Sequence, residues 1–255
     1  MLEHEQKISL AIDGGHNIRP DIERFMRHAG FRFELKRNGN LHAEVIDDLL
    51  LGSITLNRGP DIPLRLREAV NDLAVLGRDV VRDAQLGGIE IEEIEALGIS
   101  ICRVVLEVPQ QSEYSHPEDL NGARIATSLP NITTQFFKDH NTEVRIVPYS
   151  GKEEGAPAAG AADAVVAIYN SGRAATDNTL RPISTIDEST LLQSEAVLAS
   201  HTDFMRERGS DLIVSQFIDR FRQAVRQPRR SVNGRTTTTT PDFIKAMLDH
   251  ATPAG

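Results

Sequence analysis

At 255 residues, 40% of them hydrophobic and 25% charged, the chain is long enough for two lobes with genuine cores or for one larger α/β unit. A formal net charge of -9 argues against a general nucleic-acid binder, and 5% aromatics without tryptophan leave little on which bases or sugar polymers could stack. One cysteine cannot close an internal disulfide, and no run reaches the roughly 18 apolar residues of a membrane span, so a reducing cytoplasm without membrane contact is expected.

Met1 to Gln6 is polar and carries no signal-peptide core. Ile8 to Ile12 is a short apolar strand ending in Asp13-Gly14-Gly15-His16-Asn17, and Ile22, Phe25 and Met26 predict a helix over Arg19 to His28, closed by Gly30. Phe31 to Leu35, Leu41 to Val45 and Ser53 to Leu56 read as strands, the first two parted by the turn residues Asn38-Gly39-Asn40. Asp61 is placed to cap the next helix, with Pro63 in its first turn and Leu64, Leu66 and Val70 on its apolar side. Asp72 to Gly77 reads as a buried strand running into a helix over Asp79 to Ala84. The alternation predicts a mostly parallel, doubly wound sheet for the first third.

Glu90 to Glu95 is an acidic run of the kind that makes a solvated face. Ile99 to Val108 is strongly β-forming and holds Cys102 as a buried thiol, and the polar Pro109 to Pro117 reads as a crossover between lobes. A second α/β series comes next: a strand at Arg124 to Thr127, a helix at Asn131 to His140, a strand at Val144 to Val147, a short helix at Glu153 to Ala159 and a strand at Asp163 to Tyr169. Leu191 to Ala199 reads as a further strand and Phe204 to Val225 as one long helix. Gln227 to Thr240, with its five consecutive threonines, reads as a flexible tail before a small helical end at Phe243 to Leu248.

The Asp163 to Tyr169 strand empties into Asn170-Ser171-Gly172-Arg173. Glycine allows close backbone approach, the serine and asparagine side chains donate, arginine supplies charge, and the amides opening a following helix are unpaired, so a phosphate would fit. The same residues are also the ordinary composition of a surface turn that stops a strand. Both readings stand on local sequence.

Taken in order, several stretches resemble the ATP phosphoribosyltransferase family over roughly residues 7 to 200. They are Arg58 with Asp61-Ile62-Pro63, Asp72-Leu73 with Gly77, Cys102-Arg103, Leu120-Asn121-Gly122 with Arg124-Ile125-Ala126-Thr127, Pro130-Asn131, Ser150-Gly151 with Glu154, Ala156-Pro157 and Gly160, and Ala162-Asp163-Ala164. The resemblance implies a two-lobed α/β fold of the periplasmic-binding-protein type (type II), with mixed sheets and substrates in the cleft between lobes. Lobe I would span residues 1–104 and resume at 190–226, lobe II would span 105–189, and 227–255 would be a tail. The family's long form adds a regulatory domain for which the stretch after Arg226 is too short, so histidine feedback is not expected.

The resemblance also implies functional residues. Asp163 and Glu154 become the catalytic acids on the ribose side, and Asn170, Ser171, Gly172, Arg173 and Ala174 the loop for a 5′-phosphate. Arg58, Asp72, Gly14, His16 and Leu129 fall on the nucleotide or pyrophosphate side. The chain departs from the family pattern at several of these places. An aspartate four residues after the one matching Asp163 is Ala167 here, the loop's closing threonine is Ala174, a Lys-x-Gly-Arg-Leu pattern reads Gly14-Gly15-His16-Asn17-Ile18, and an aromatic before Pro130 is Leu129. Each charge-assisted contact contributes about 1.5–3 kcal/mol, so these losses bear on use of the family's phosphoribosyl donor. The expected activity is a divergent pentosyltransferase joining an ATP-like purine nucleotide to a phosphoribosyl donor, in a setting such as purine-derived nucleoside antibiotic biosynthesis. Mg²⁺ would be carried mainly by the substrate phosphates, and the expected assembly is a homodimer or larger homo-oligomer. The other class left open is a non-catalytic binding or regulatory subunit that keeps the cleft.

Overall fold

The apolar residues of Ile8 to Ile12 fall on both faces of the strand, which suits a position covered from both sides, and the structure puts that strand near the middle of the larger of two sheets. The structure is a computed structural model that describes residues 7–35 and 41–227. The expectations for Met1 to Gln6, the Asn38-Gly39-Asn40 turn, the 228–240 stretch and the Phe243 to Leu248 helix lie outside the described residues.

In chain order the elements are β1 (Ile8–Asp13), α1 (Arg19–His28), β2 (Phe33–Leu35), β3 (His42–Val45), β4 (Leu51–Asn57), α2 (Ile62–Arg67), β5 (Leu73–Gly77), α3 (Arg78–Leu86), β6 (Ile91–Ala96) and β7 (Cys102–Pro109). They continue with β8 (Arg124–Thr127), α4 (Pro130–Asp139), β9 (Arg145–Pro148), β10 (Ala164–Tyr169), α5 (Arg173–Asp177), β11 (Leu180–Pro182), β12 (Thr190–Ser194), β13 (Ala196–His201), α6 (Thr202–Arg208) and α7 (Leu212–Arg226). The seven-stranded sheet runs β2-β3-β4-β1-β5-β13-β6, and the six-stranded sheet runs β11-β7-β10-β8-β9 with β12 also on β7. The result is an α/β molecule of two lobes with mixed sheets.

Only the β1–β4 and β1–β5 pairs are parallel in the first sheet; the β2–β3, β3–β4, β5–β13 and β6–β13 pairs are antiparallel, so the doubly wound, mostly parallel expectation gives way to a mixed sheet. In the second sheet β8 is parallel to β9 and β10, while β7 is antiparallel to β10. The parallel strands of both sheets direct their carboxyl ends at the same cleft, where open α/β sheets bind ligands.

Several local expectations are corrected. Leu191 to Ala199 is not one strand: β12 pairs with β7, the chain crosses at Glu195, and β13 pairs with β5 and β6. The crossing is held by Arg78, whose amide donates to the Glu195 carbonyl at 2.9 Å and whose guanidinium meets the Glu195 carboxylate at 3.0 Å. The seven-stranded sheet thus takes the chain back at Ala196, the start of β13. Phe204 to Val225 breaks at Gly209 into α6 and α7. The acidic Glu90 to Glu95 run is mostly an edge strand, β6, with Glu93 bound by Arg78 at 2.6 Å and Glu95 by Arg222 at 3.3 Å. Asp61 also gives no side-chain cap to α2, because it closes a preceding 3-10 turn over Gly59–Asp61.

The first lobe's core packs Phe25 and Phe31 of α1 and its exit against Phe217 and Phe221 of α7, with ring centroids 5.2–5.7 Å apart. The second lobe has its own core around Val104, Leu106, Ile125, Phe137 and Val166. Between the lobes, Asp83 of α3 accepts from the backbone amides of Asn131 and Ile132 at the start of α4, at 2.8 and 2.9 Å. Among the described residues no helix is long and apolar enough to cross a membrane.

Candidate functional site

The two sheets enclose a cleft of about 1380 Å³. Its first wall is built from the segments after β1, β4 and β5. β1 ends in Asp13, whose Oδ1 accepts from the Gly15 amide at 2.8 Å, while the Gly14 amide donates to the Asn57 carbonyl of β4 at 2.8 Å. These bonds hold the Gly14-Gly15-His16 loop open to solvent against the strand ends. Arg58 comes directly after β4 and reaches across the cleft, its guanidinium donating to the Ser150 carbonyl of the other lobe at 3.4 Å. A side chain at position 59 would run into the Asp13 carboxylate, so the glycine lets the two loops meet.

β5 delivers Gly77 and then Asp79 at the start of α3. Ser194, at the end of β12, donates its hydroxyl to Asp79 Oδ1 at 2.6 Å and receives the Asp79 amide at 3.0 Å. Burial raises the carboxyls of both Asp13 and Asp79 above the ordinary aspartate range, and for Asp13 the nearby Asp79 charge adds to it. Cys102 lies in the same floor. Burial and then the Asp79 charge push its thiol up to about 12, so it is not a nucleophile at neutral pH.

The second wall comes from β7, β8, β10 and a 3-10 turn over Glu153–Gly155. The Asn170-Ser171-Gly172 turn leaves the carboxyl end of β10. Gly172 is left-handed, with φ of 71°, and the Tyr169 hydroxyl occupies the space a side chain there would need. The turn passes directly into α5, which opens with no side-chain cap, and Arg173 is mostly exposed, with Asp177 3.5 Å away. Glu154 and the buried Leu129, 4% exposed, line the same cleft.

The structure therefore gathers Gly14, His16, Arg58, Leu129, Glu154 and Asn170 to Ala174 around one cavity. It leaves two expected residues elsewhere. Asp163 precedes β10, at the strand end away from the cleft. Its carboxylate accepts from the Arg124 amide at 2.8 Å and from that residue's guanidinium at 2.9 and 3.2 Å, which holds it below the usual carboxylate range. Asp72 precedes β5, also at the far end, and accepts from the Ser9 amide at 2.7 Å. Both acids tie strand starts together. In a parallel strand the amino end faces away from the ligand crevice, so an acid before the strand and one after it have different fates.

Sequence reading passed over Asp13, Asp79, Glu107, Glu153 and Lys152, all of which line the cleft. Glu107 did have a signal: it is the one charged residue in the apolar run Val104-Val105-Leu106-Glu107-Val108 of β7, and it is buried. Burial and then the Glu154 charge push it up to about 7. Burial also raises Glu153, whose Oε1 accepts from the Ser128 hydroxyl at 2.9 Å. Among the charged lining residues, Asp13, Asp21, Asp61, Asp79, Glu107, Glu153, Glu154 and Glu195 face Arg19, Arg58, Lys152 and Arg173. An anion entering this cleft needs the Arg58, Lys152 and Arg173 charges, a bound cation, or protons on the acids.

Comparison with known proteins places this geometry in context. The family model for HisG, ATP phosphoribosyltransferase, matches residues 58–223. An ATP phosphoribosyltransferase of Methanopyrus kandleri is 32% identical over 196 residues, which are 77% of this chain and 66% of that protein. Another, from Methanosarcina barkeri, is 36% identical over 138 residues, 54% of this chain and 47% of that protein. The chain thus spans between about half and two thirds of the length of these relatives. Among solved structures, the ATP phosphoribosyl transferase (HisG:HisZ) complex from Thermotoga maritima superposes with a TM-score of 0.67 at 23% identity, covering 86% of this chain and 98% of that one. The alkanesulfonate-binding protein SsuA from Xanthomonas axonopodis pv. citri, bound to MOPS, gives 0.52 at 17% identity, covering 86% and 72%. At these identities the two structures speak to the fold, a pair of lobes around a cleft.

Proposed function

Because the chain belongs to the ATP phosphoribosyltransferase family, we propose that it is a pentosyltransferase that joins a purine nucleotide to a phosphoribosyl donor in the cleft between its lobes. The observation that carries this reading is the position of the Asn170-Ser171-Gly172 turn. It stands at the carboxyl end of β10, within the matched residues, on the same cavity as Arg58 and the Gly14 to His16 loop.

In this reading the turn and Arg173 hold the 5′-phosphate with backbone amides, hydroxyl and charge. Glu154 takes the ribose side. Asp163 drops out of the catalytic set, since Arg124 occupies it outside the cleft. Arg58 and the first-lobe loop receive the nucleotide or the leaving pyrophosphate. Departure of pyrophosphate leaves an oxocarbenium-like ribose, and the chain's part is to orient the two substrates and stabilise charge, with no covalent nucleophile. Mg²⁺ enters as part of the phosphate substrate, neutralising charge on its oxygens. The altered positions Ala167, Ala174 and Asn17 favour a specialised pathway, such as purine-derived nucleoside antibiotic synthesis, over histidine synthesis. A cytoplasmic homodimer or larger homo-oligomer belongs to the same proposal.

The excess of acids in the cleft favours a second reading, a binding subunit without turnover. Calorimetric titration with phosphoribosyl pyrophosphate, ATP and AMP in Mg²⁺, followed by an assay for pyrophosphate release, separates the two. Binding with release supports the transferase. Binding without release supports the second reading, and no binding of any of the three refutes both.

A further inference from the structure

Two carboxyl groups on the second wall are buried, line the cleft and keep an oxygen that no described group satisfies. Glu107 is 2% exposed and Glu153 4% exposed, and Glu107 Oε1 and Glu153 Oε2 have no hydrogen-bond partner. Roughly nine in ten buried polar atoms in folded proteins are satisfied, so two unsatisfied oxygens on one cavity point to a partner that arrives with the ligand.

The sheet explains why nothing in the chain covers Glu107. It stands opposite Val165 of β10 and Pro182 of β11, on the face that β10 lines with Val165 and Ala167. That face is packed mainly with small side chains, Ala126, Ala156, Ala167 and Ala175 among them. The ionisable groups of the elements around it include Arg173 and Asp177 of α5, 3.5 Å apart, Arg124 of β8, bound to Asp163, and Lys152 on the cleft. On its own strand, Arg103 is paired with Asp187 at 2.6 Å. Arg181 of β11 donates to the backbone oxygens of Ser112, Tyr114, Pro182 and Ile183. β10 offers the Tyr169 phenol, β12 has no ionisable side chain, and the 3-10 turn brings Glu153 and Glu154. The charge that acts on Glu107 is that of Glu154, which is also felt by Glu153. Carboxyls coupled in this way at low exposure do not all ionise together, and an anion entering beside them adds to the repulsion.

We propose that Glu107 binds the anionic ligand of this cleft as the neutral acid, donating its O–H to a ligand oxygen, so that ligand binding takes up a proton from solvent. The proposal rests on the reading of the cleft as a phosphoribosyl site, and it assigns the acid that lets an acid-rich wall accept such a ligand. Its elevated titration, near pH 7, places the proton exchange in an accessible range.

The test is calorimetric binding of ribose 5-phosphate between pH 7.5 and 9, where the phosphate of the probe is already dianionic, its second pKa being about 6. It compares the wild type with Glu107→Gln and Glu107→Ala, each in two buffers of different ionisation enthalpy. The wild type is expected to lose about tenfold in affinity per pH unit and to show uptake of up to one proton. Glu107→Gln, a permanently neutral donor, is expected to bind with little pH dependence and to exceed the wild type at pH 9, while Glu107→Ala binds weakly at every pH. His16, Asp13 and Asp79 are unchanged in the variants and drop out of the comparison. Thermal melting shows that each variant is folded. A wild-type affinity independent of pH, or the same slope in Glu107→Gln, overturns this proposal and leaves the cleft reading standing. Absence of ribose 5-phosphate and phosphoribosyl pyrophosphate binding at any pH overturns both.

Discussion

Replacing Asp83 by alanine should loosen the grip of one lobe on the other. Helix α4 begins with Leu129 at its cap position, and leucine has no side-chain acceptor. Asp83, from α3 of the first lobe, supplies that acceptor instead: its Oδ1 takes the Asn131 and Ile132 amides at 2.8 and 2.9 Å, and its Oδ2 takes the Asn131 side-chain amide at 3.1 Å. Loss of a helix cap costs about 0.5–2 kcal/mol, and loss of bonds to a charged acceptor about 1.5–3 kcal/mol. Asp83 is half-buried, so a value of about 2 kcal/mol is reasonable. For a chain of this size that corresponds to a fall in Tm of roughly 4–8 °C. Exchange of the Asn131 and Ile132 amides with solvent should quicken about thirtyfold, the equivalent of the same energy. Hydrogen exchange by mass spectrometry over residues 128–135, with a thermal melt, measures both. A Tm within about 1 °C of the wild type together with unaltered exchange would refute the account of Asp83 as a cap supplied from the other lobe.

Three further outcomes rest on the charges. Arg124 holds the Asp163 carboxyl below its ordinary value of 3.8, so the stability from this pair is present above that pH and is lost as pH falls below it. Asp163→Asn should lower Tm at pH 7 and flatten the acid limb of the Tm profile, while sparing ligand affinity; a loss of affinity with unchanged Tm would restore Asp163 to the site. Glu107 has the opposite sign. A carboxyl raised from its ordinary 4.5 to about 7 stabilises the fold below pH 4.5, and that stability drains away as pH rises toward 7, so Glu107→Gln should melt higher than the wild type at pH 8 and more nearly alike at pH 4.5. A lower melt for the variant at pH 8 would show that the ionised form is favoured. Cys102, pushed up to about 12, should resist iodoacetamide in the folded protein at pH 8 and react on unfolding; rapid native-state alkylation would contradict its placement.

Much of the fold was legible because hydrophobic period reports burial directly. β1, α1, β5, α3, β8, α4 and β10 all stand within a few residues of where the apolar spacing puts them. The segments misread were those where a local pattern continues across a change of partner. Leu191 to Ala199 is uniformly strand-like, yet its halves serve different sheets, and the crossing is marked by tertiary contacts such as Arg78 and the Gly98 amide, which meets the Glu195 carboxylate at 2.6 Å. Phe204 to Val225 keeps a helical rhythm through a break that a single glycine permits.

The strand-to-turn passage from Ala164 to Arg173 and the family it belongs to were determined by the sequence, because a glycine turn after a buried strand and the spacing of short motifs are properties of the chain alone. Which acids serve the cleft was decided by the tertiary structure. Asp163 stands just before an apolar strand and Glu107 within one, and neither position says which end of the sheet meets a ligand. The direction of β10 sends the first to the far end, onto Arg124, and the antiparallel pairing of β7 carries the second to the cleft wall with one oxygen left unsatisfied.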